Sequence, residues 1–155
     1  MKKIASLLLL FVLLTTSSAT TTDPFAGRWK LNVRRSSYPA GTCPKQMTIE
    51  MLPKGQAVEY RSDTTYANGK TAQTTYLADY TGKQVIVIGS HGMLLPVSLK
   101  RIAPRVVIAS YLHGFEVVAT SRRVVSNDGR WMTITTKSKD NAGKIVTSVG
   151  VYQRE

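Results

Sequence analysis

Acidic residues are scarce in this 155-residue chain, with 9 Asp plus Glu against 21 Lys plus Arg and a formal net charge of +12. One cysteine, Cys43, excludes an internal disulfide framework and a thiolate-rich zinc site. The two histidines, His91 and His113, each precede a glycine in an expected turn. They fall short of a three- or four-ligand site, so no metal and no cofactor is expected. No serine sits in a G-x-S-x-G elbow, and no glycine-rich loop opens a helix to cradle phosphate. The acids are scattered, so neither an acid–base pair nor an activated nucleophile is visible, and the expectation is a protein that is not an enzyme. The chain also lacks helical periodicity, because no window from 20 to 155 sustains apolar residues at i, i+3, i+4 and i+7.

The longest apolar stretch, Ile4 to Leu14 with Ser6 its one polar residue, follows Lys2 and Lys3 and precedes the small polar residues Thr15 to Ser18 and then Ala19. It falls well short of the roughly 20 residues a spanning helix needs. A charged start, a short apolar stretch and small residues at a processing point read as a secretory signal peptide. Residues 1–19 are therefore assigned to the signal peptide and 20–155 to one exported domain, periplasmic or extracellular. No cysteine stands near Ala19 to carry a lipid anchor. After cleavage 19 Lys plus Arg face 9 Asp plus Glu, a charge of +10.

The mature chain is rich in short runs of Val, Ile, Thr and Tyr. Expected strands are Phe25–Val33, Gln46–Leu52, Ala57–Tyr66, Thr71–Tyr80, Gln84–Ile88, Val97–Ile102, Val106–Leu112, Phe115–Ser126, Arg130–Ser138 and Lys144–Arg154. Asn68-Gly69 and Asp128-Gly129 supply the positive φ angles of tight hairpins, so sequence neighbours pair antiparallel. Ten strands joined this way must manage their edges, and closure removes them. The fold class is therefore all-β, a single antiparallel up-and-down β-barrel of about 8–10 strands, with a two-sheet sandwich as the alternative. Only Arg34–Lys45 and Gly89–Pro96 are long enough to cross a barrel mouth.

The first mature strand contains Gly27-Arg28-Trp29, and the last reads Val149-Gly150-Val151-Tyr152-Gln153-Arg154-Glu155. This pairing resembles the lipocalin and fatty-acid-binding-protein superfamily. It is also similar to a group of small secreted bacterial lipocalin-like proteins, whose shared stretches resemble Gly27–Ser36, Arg122–Gly129 with Met132–Thr135, and Val151-Tyr152. The resemblance implies that Gly27, Trp29 and Arg154 close one barrel end, with the cation stacked on the indole. Fatty-acid-binding proteins carry R-x-Y in the last strand to hold a lipid carboxylate. Here Gly150 stands in place of the arginine, and Arg34–Lys45 is too short for the two helices those proteins place between their first strands.

With Tyr152 inward, strand alternation puts Gly150 and Ser148 on the same face. A four-residue turn at Asp140–Gly143 then sets Trp131, Thr133 and Thr135 opposite them. A two-residue Asp128-Gly129 turn adds Arg122 rather than Arg123. Met132, Ile134, Val149 and Val151 hold the opposite parity, and one residue more or less in a turn exchanges the two sets. Tyr152, Arg122, Tyr76, Tyr111 and Trp131 are the candidate ligand-binding residues.

The expected partner is a small hydrophobic or amphipathic molecule held inside a monomeric barrel. The alternative is a solid barrel whose basic surface meets an anionic cell-envelope polymer, lipid headgroups or an acidic protein. No run of cations exceeds two, and none forms a stripe with aromatics, so nucleic acid is not an expected partner.

Overall fold

A computed structural model describes residues 23–140 and 142–155; the expected signal peptide at 1–19 lies outside them. Ten strands follow one another: β1 Gly27–Leu31, β2 Gln46–Lys54, β3 Ala57–Thr65, β4 Thr71–Asp79, β5 Thr81–Gly89, β6 Gly92–Ala103, β7 Val106–His113, β8 Glu116–Val125, β9 Trp131–Lys139 and β10 Ile145–Arg154. Each pairs with its neighbour, and β10 returns to β1, where Trp29 lies opposite Arg154, giving the closed up-and-down barrel. Closure leaves no free edge at either end of the strand order, which is how an all-hairpin chain avoids presenting unpaired backbone groups. The seam is thinnest between β4 and β5, where two residue pairs hold the ladder. Among the described residues no helix is long and apolar enough to cross a membrane.

One expected crossing segment is not a loop. Gly89–Pro96 is divided by a hairpin between Gly89 and Gly92, and Gly92–Pro96 belongs to β6. Gly92, with φ of 118°, supplies the backbone conformation that makes so short a reversal possible. Arg34–Lys45 alone spans the mouth among the described residues, starting from a single 3-10 turn at Val33–Arg35 in which the Arg35 N–H donates to Asn32.

Period-2 alternation sorts the side chains. Along β3, Val58, Tyr60 and Ser62 are buried while Arg61 and Asp63 are exposed. The core is not uniform along the barrel axis. Toward the end where β1 begins, Trp29, Met51, Val58, Leu99, Val107, Val125 and Met132 fill the interior, each at most 2 % exposed. Toward the other end the inward positions carry Ser, Thr and Tyr, and the packing opens into a cavity.

Candidate functional site

The solid end is held by backbone carbonyls that converge on one guanidinium. Arg154 donates from Nε to the Gly129 carbonyl at 2.7 Å, from Nη2 to Pro24 at 2.7 Å, and from Nη1 to Ala26. Its guanidinium carbon lies 4.1 Å from the centroid of the Trp29 ring, and the Trp29 indole N–H donates to the Phe25 carbonyl at 2.9 Å. Gly27, at φ 115°, brings the chain so close that a Cβ there would stand 2.8 Å from Arg154 Nη1. Beside it the Asp23 carboxylate accepts from Tyr80 Oη at 2.7 Å and from Arg101 Nη2 at 2.8 Å. Large buried side chains fill the interior of this end.

The cavity lies in the other half. It measures roughly 540 Å³ and is lined by residues of all ten strands but β1, with Tyr38, Thr42 and Pro44 entering from the mouth loop. That volume falls within the range of small-molecule sites. Of two further concavities, one of about 550 Å³ is lined by Arg28 and Arg61 together with Ser62 and Thr74, which it shares with the cavity, and one of about 720 Å³ by the closed-end turns around Pro53 and Pro104.

The cavity floor is a cation on stacked aromatics. Arg123, 3 % exposed, places its guanidinium carbon 5.1 Å from the centroid of the Tyr60 ring. Tyr60 in turn stacks on Tyr76 with centroids 4.6 Å apart and planes inclined by 6°. Arg123 makes no ion pair with any of the chain's nine carboxylates, all of which are among the described residues. Its Nε and the Tyr76 hydroxyl are buried with no hydrogen-bond partner. Burial opposes the guanidinium's charge and the neighbouring Tyr76, Tyr111 and Tyr60 side chains act against that shift, with the pKa raised. An arginine remains a cation here because its ordinary pKa already lies far above neutral. Burial pushes the Tyr60 phenol up to about 12 and raises Tyr76 further, with Arg123 partly opposing both shifts.

Above this floor the walls carry hydroxyls. Ser121 Oγ and Thr136 Oγ1 share a hydrogen bond of 2.7 Å, and Ser62, Thr74 and Ser148 face the same space. Tyr152, 3 % exposed, donates to the Met47 sulfur at 3.2 Å, and burial raises its pKa well above the usual value. Tyr38 reaches in from the mouth loop across Gly150: a Cβ at position 150 would lie 2.7 Å from Tyr38 Oη and 2.8 Å from the Tyr152 ring. The absent side chain of Gly150 is what admits the tyrosine.

The expected site residues separate into two groups. Tyr152, Tyr76 and Tyr111 line the cavity. Arg122 and Trp131 do not. Arg122 is exposed, and Trp131 lies outside with Arg35 stacked 4.3 Å from its centroid. The cause is one residue of turn length. The Asp128-Gly129 hairpin has the expected register, with Arg122 opposite Thr135. In the β9–β10 hairpin, however, Lys139 pairs with Ile145 and the Asp140 N–H donates to the Lys144 carbonyl, so the connection is one residue longer. Tyr152 therefore opposes Met132 rather than Trp131, and the inward set becomes Met132, Ile134, Thr136, Ser121 and Arg123. The apolar parity of Met132 and Ile134 was the available signal for this register. Nothing in the sequence pattern marked Tyr38, which enters from a loop.

No family model and no curated protein matches the sequence. Solved structures do. Zebrafish ileal bile acid-binding protein complexed with cholic acid is similar with a TM-score of 0.57 and 12 % identity, over 85 % of this chain and 99 % of that one. A Schistosoma mansoni fatty acid binding protein in complex with arachidonic acid is similar with a TM-score of 0.59 and 16 % identity, over 85 % and 96 % of the two chains. At such identities the likeness establishes the fold. The chain is a closed, ten-stranded, antiparallel up-and-down β-barrel, and these solved structures share its fold.

Proposed function

We propose that this chain is an exported, non-catalytic binding protein that holds a small amphipathic acid in the open half of its barrel. The apolar body lies among Ile49, Val87, Leu94 and Ile134, and the acidic head meets Arg123. The observation that carries the reading is the buried guanidinium without a carboxylate partner. An uncompensated buried charge is costly, and an anionic ligand supplies the missing counter-charge. Burial of the ligand body contributes roughly 25 cal/mol per Å² of apolar surface removed from water. The lining holds tyrosines, hydroxyls and one arginine, with no histidine or carboxylate to serve as a base, which supports binding rather than turnover. Export rests on the signal-peptide pattern of residues 1–19, and cleavage after Ala19 leaves a mature chain starting at Thr20.

Calorimetric titration with a long-chain fatty acid and with its methyl ester tests the assignment. The acid is expected to bind at least about tenfold more tightly, the worth of a hydrogen bond to a charged group. Arg123→Met keeps an apolar stem of similar reach, is expected to fold, and brings acid and ester to equal affinity. Equal affinities in the wild-type protein, or no binding of either, refute the reading.

A further inference from the structure

The open end of the barrel combines apolar exposure with unpaired positive charge. Three adjacent hairpins end there, β5–β6, β7–β8 and β9–β10. Their tips present Met93 and Leu94, Phe115 and Val117, and Ile145, all exposed; Phe115 stands 104 % exposed. Single exposed apolar residues are ordinary, but a group gathered at one end of a molecule marks a contact surface. Leu94 also lines the cavity, so the apolar rim runs into the proposed ligand site.

Charge is distributed in the same direction. Every ion pair among the described residues uses one of four carboxylates, Asp23, Glu59, Asp128 or Glu155, and all four belong to the closed half. The mouth cations Lys45, Lys70, Lys137, Lys139 and Lys144 have none. Three acids stand in the same half: Asp63, whose Oδ1 accepts from Gln73 Nε2, Glu116, and Asp140, whose Oδ1 is engaged by the N–H groups of Ala142 and Lys144 in its own turn.

We propose that this rim is a docking face for an anionic lipid membrane, with Phe115 and its aliphatic neighbours entering the acyl boundary and the lysines lying over the headgroups. Apolar insertion and attraction to acidic lipid each bind weakly alone and strongly together. The mouth then opens onto the membrane itself, from which an amphipathic molecule can pass to the cavity without crossing water. The docking stands on the rim alone and does not require that the cavity bind an acid.

Flotation of the ligand-free protein with phosphatidylcholine vesicles, with and without phosphatidylglycerol, measures it. The protein is expected to float with the anionic vesicles and to be released by salt. Lys139→Glu with Lys144→Glu is expected to weaken partitioning at least about tenfold, since each cation near the surface carries a severalfold effect. Phe115→Ser is expected to weaken it roughly fivefold. Lys83→Glu with Lys100→Glu makes the same charge change on exposed, unpaired lysines of the closed half. It is expected to change partitioning by less than about twofold, because charges beyond a Debye length are screened. Equal losses from both lysine pairs would overturn the proposal, as would equal binding to neutral vesicles. Failure of the wild-type protein to float with either vesicle also overturns it, and capture by an acidic protein instead would identify a different partner. Unchanged thermal midpoints of the variants separate loss of docking from loss of fold.

Discussion

Tyr60, Tyr76 and Arg123 form a unit whose members explain one another. Burial favours neutral phenols, and the stacked phenol faces offer the guanidinium a favourable quadrupole where no carboxylate stands. Five of the seven tyrosines, at positions 38, 60, 76, 80 and 152, have raised pKa values, chiefly through burial. A group whose folded pKa exceeds its unfolded value contributes stability that is present below the unfolded pKa and lost as pH climbs through the folded one. The protein is therefore expected to hold its stability up to about pH 10 and to lose it steeply by about pH 12. Tyr60 alone, shifted to about 12, accounts for about 3 kcal/mol of that loss. Thermal melts against pH, with tyrosinate absorbance followed in parallel, check this. A midpoint unchanged between pH 9 and 12 would show that these phenols are not buried.

At the scale of elements, β10 organises the cavity. Its inward face reads Ser148, Gly150, Tyr152, and the bridge from Ser37 to Val149 draws the mouth loop over it. Gly150→Ala places a methyl group against both Tyr38 and Tyr152, so one of the rings must leave its position. The expected cost is about 1–3 kcal/mol, the usual range for overpacking, read by urea unfolding. Tyr38→Ala in the same chain removes one of the two clashes and is expected to recover part of the loss. The strand positions were legible from β-branched runs and turn dipeptides, because those patterns are local. The inward set of β8 and β9 was not. Its parity depends on whether Lys144 counts with the turn or with the strand, a choice made by the fit of Met132 and Ile134 to the interior. The same one-residue ambiguity moved Arg122 outside and Arg123 to the floor of the cavity.

Over the whole molecule, the barrel is solid at one end and open at the other. The solid end carries the large apolar plug and the ion pairs, and the open end carries the cavity, the exposed apolar rim and five unpaired mouth lysines. In the proposed reading a ligand adds to the folded state from the open half, against core residues such as Ile49, Tyr60 and Val87 that also line the cavity. A fatty acid at about 100 times its dissociation constant is expected to stabilise the protein by about 2.7 kcal/mol. That corresponds to a rise in thermal midpoint of roughly 5–10 °C for a chain of this size. Differential scanning calorimetry checks the shift, and Arg123→Met is expected to reduce it for the acid and leave it small for the ester.

The sequence alone determined the strands, their antiparallel order and the closed barrel, because alternation, turn residues and hairpin connectivity act over a few residues and leave few topologies. It also contained the residues of the solid end, Gly27, Trp29 and Arg154, close to the chain's two strand termini. Only the tertiary structure decided which arginine turns inward, that Tyr38 replaces the side chain Gly150 lacks, and that charge and apolar exposure gather at one end. Those facts depend on register and on distances between strands remote in sequence, where one residue of turn length reverses a face.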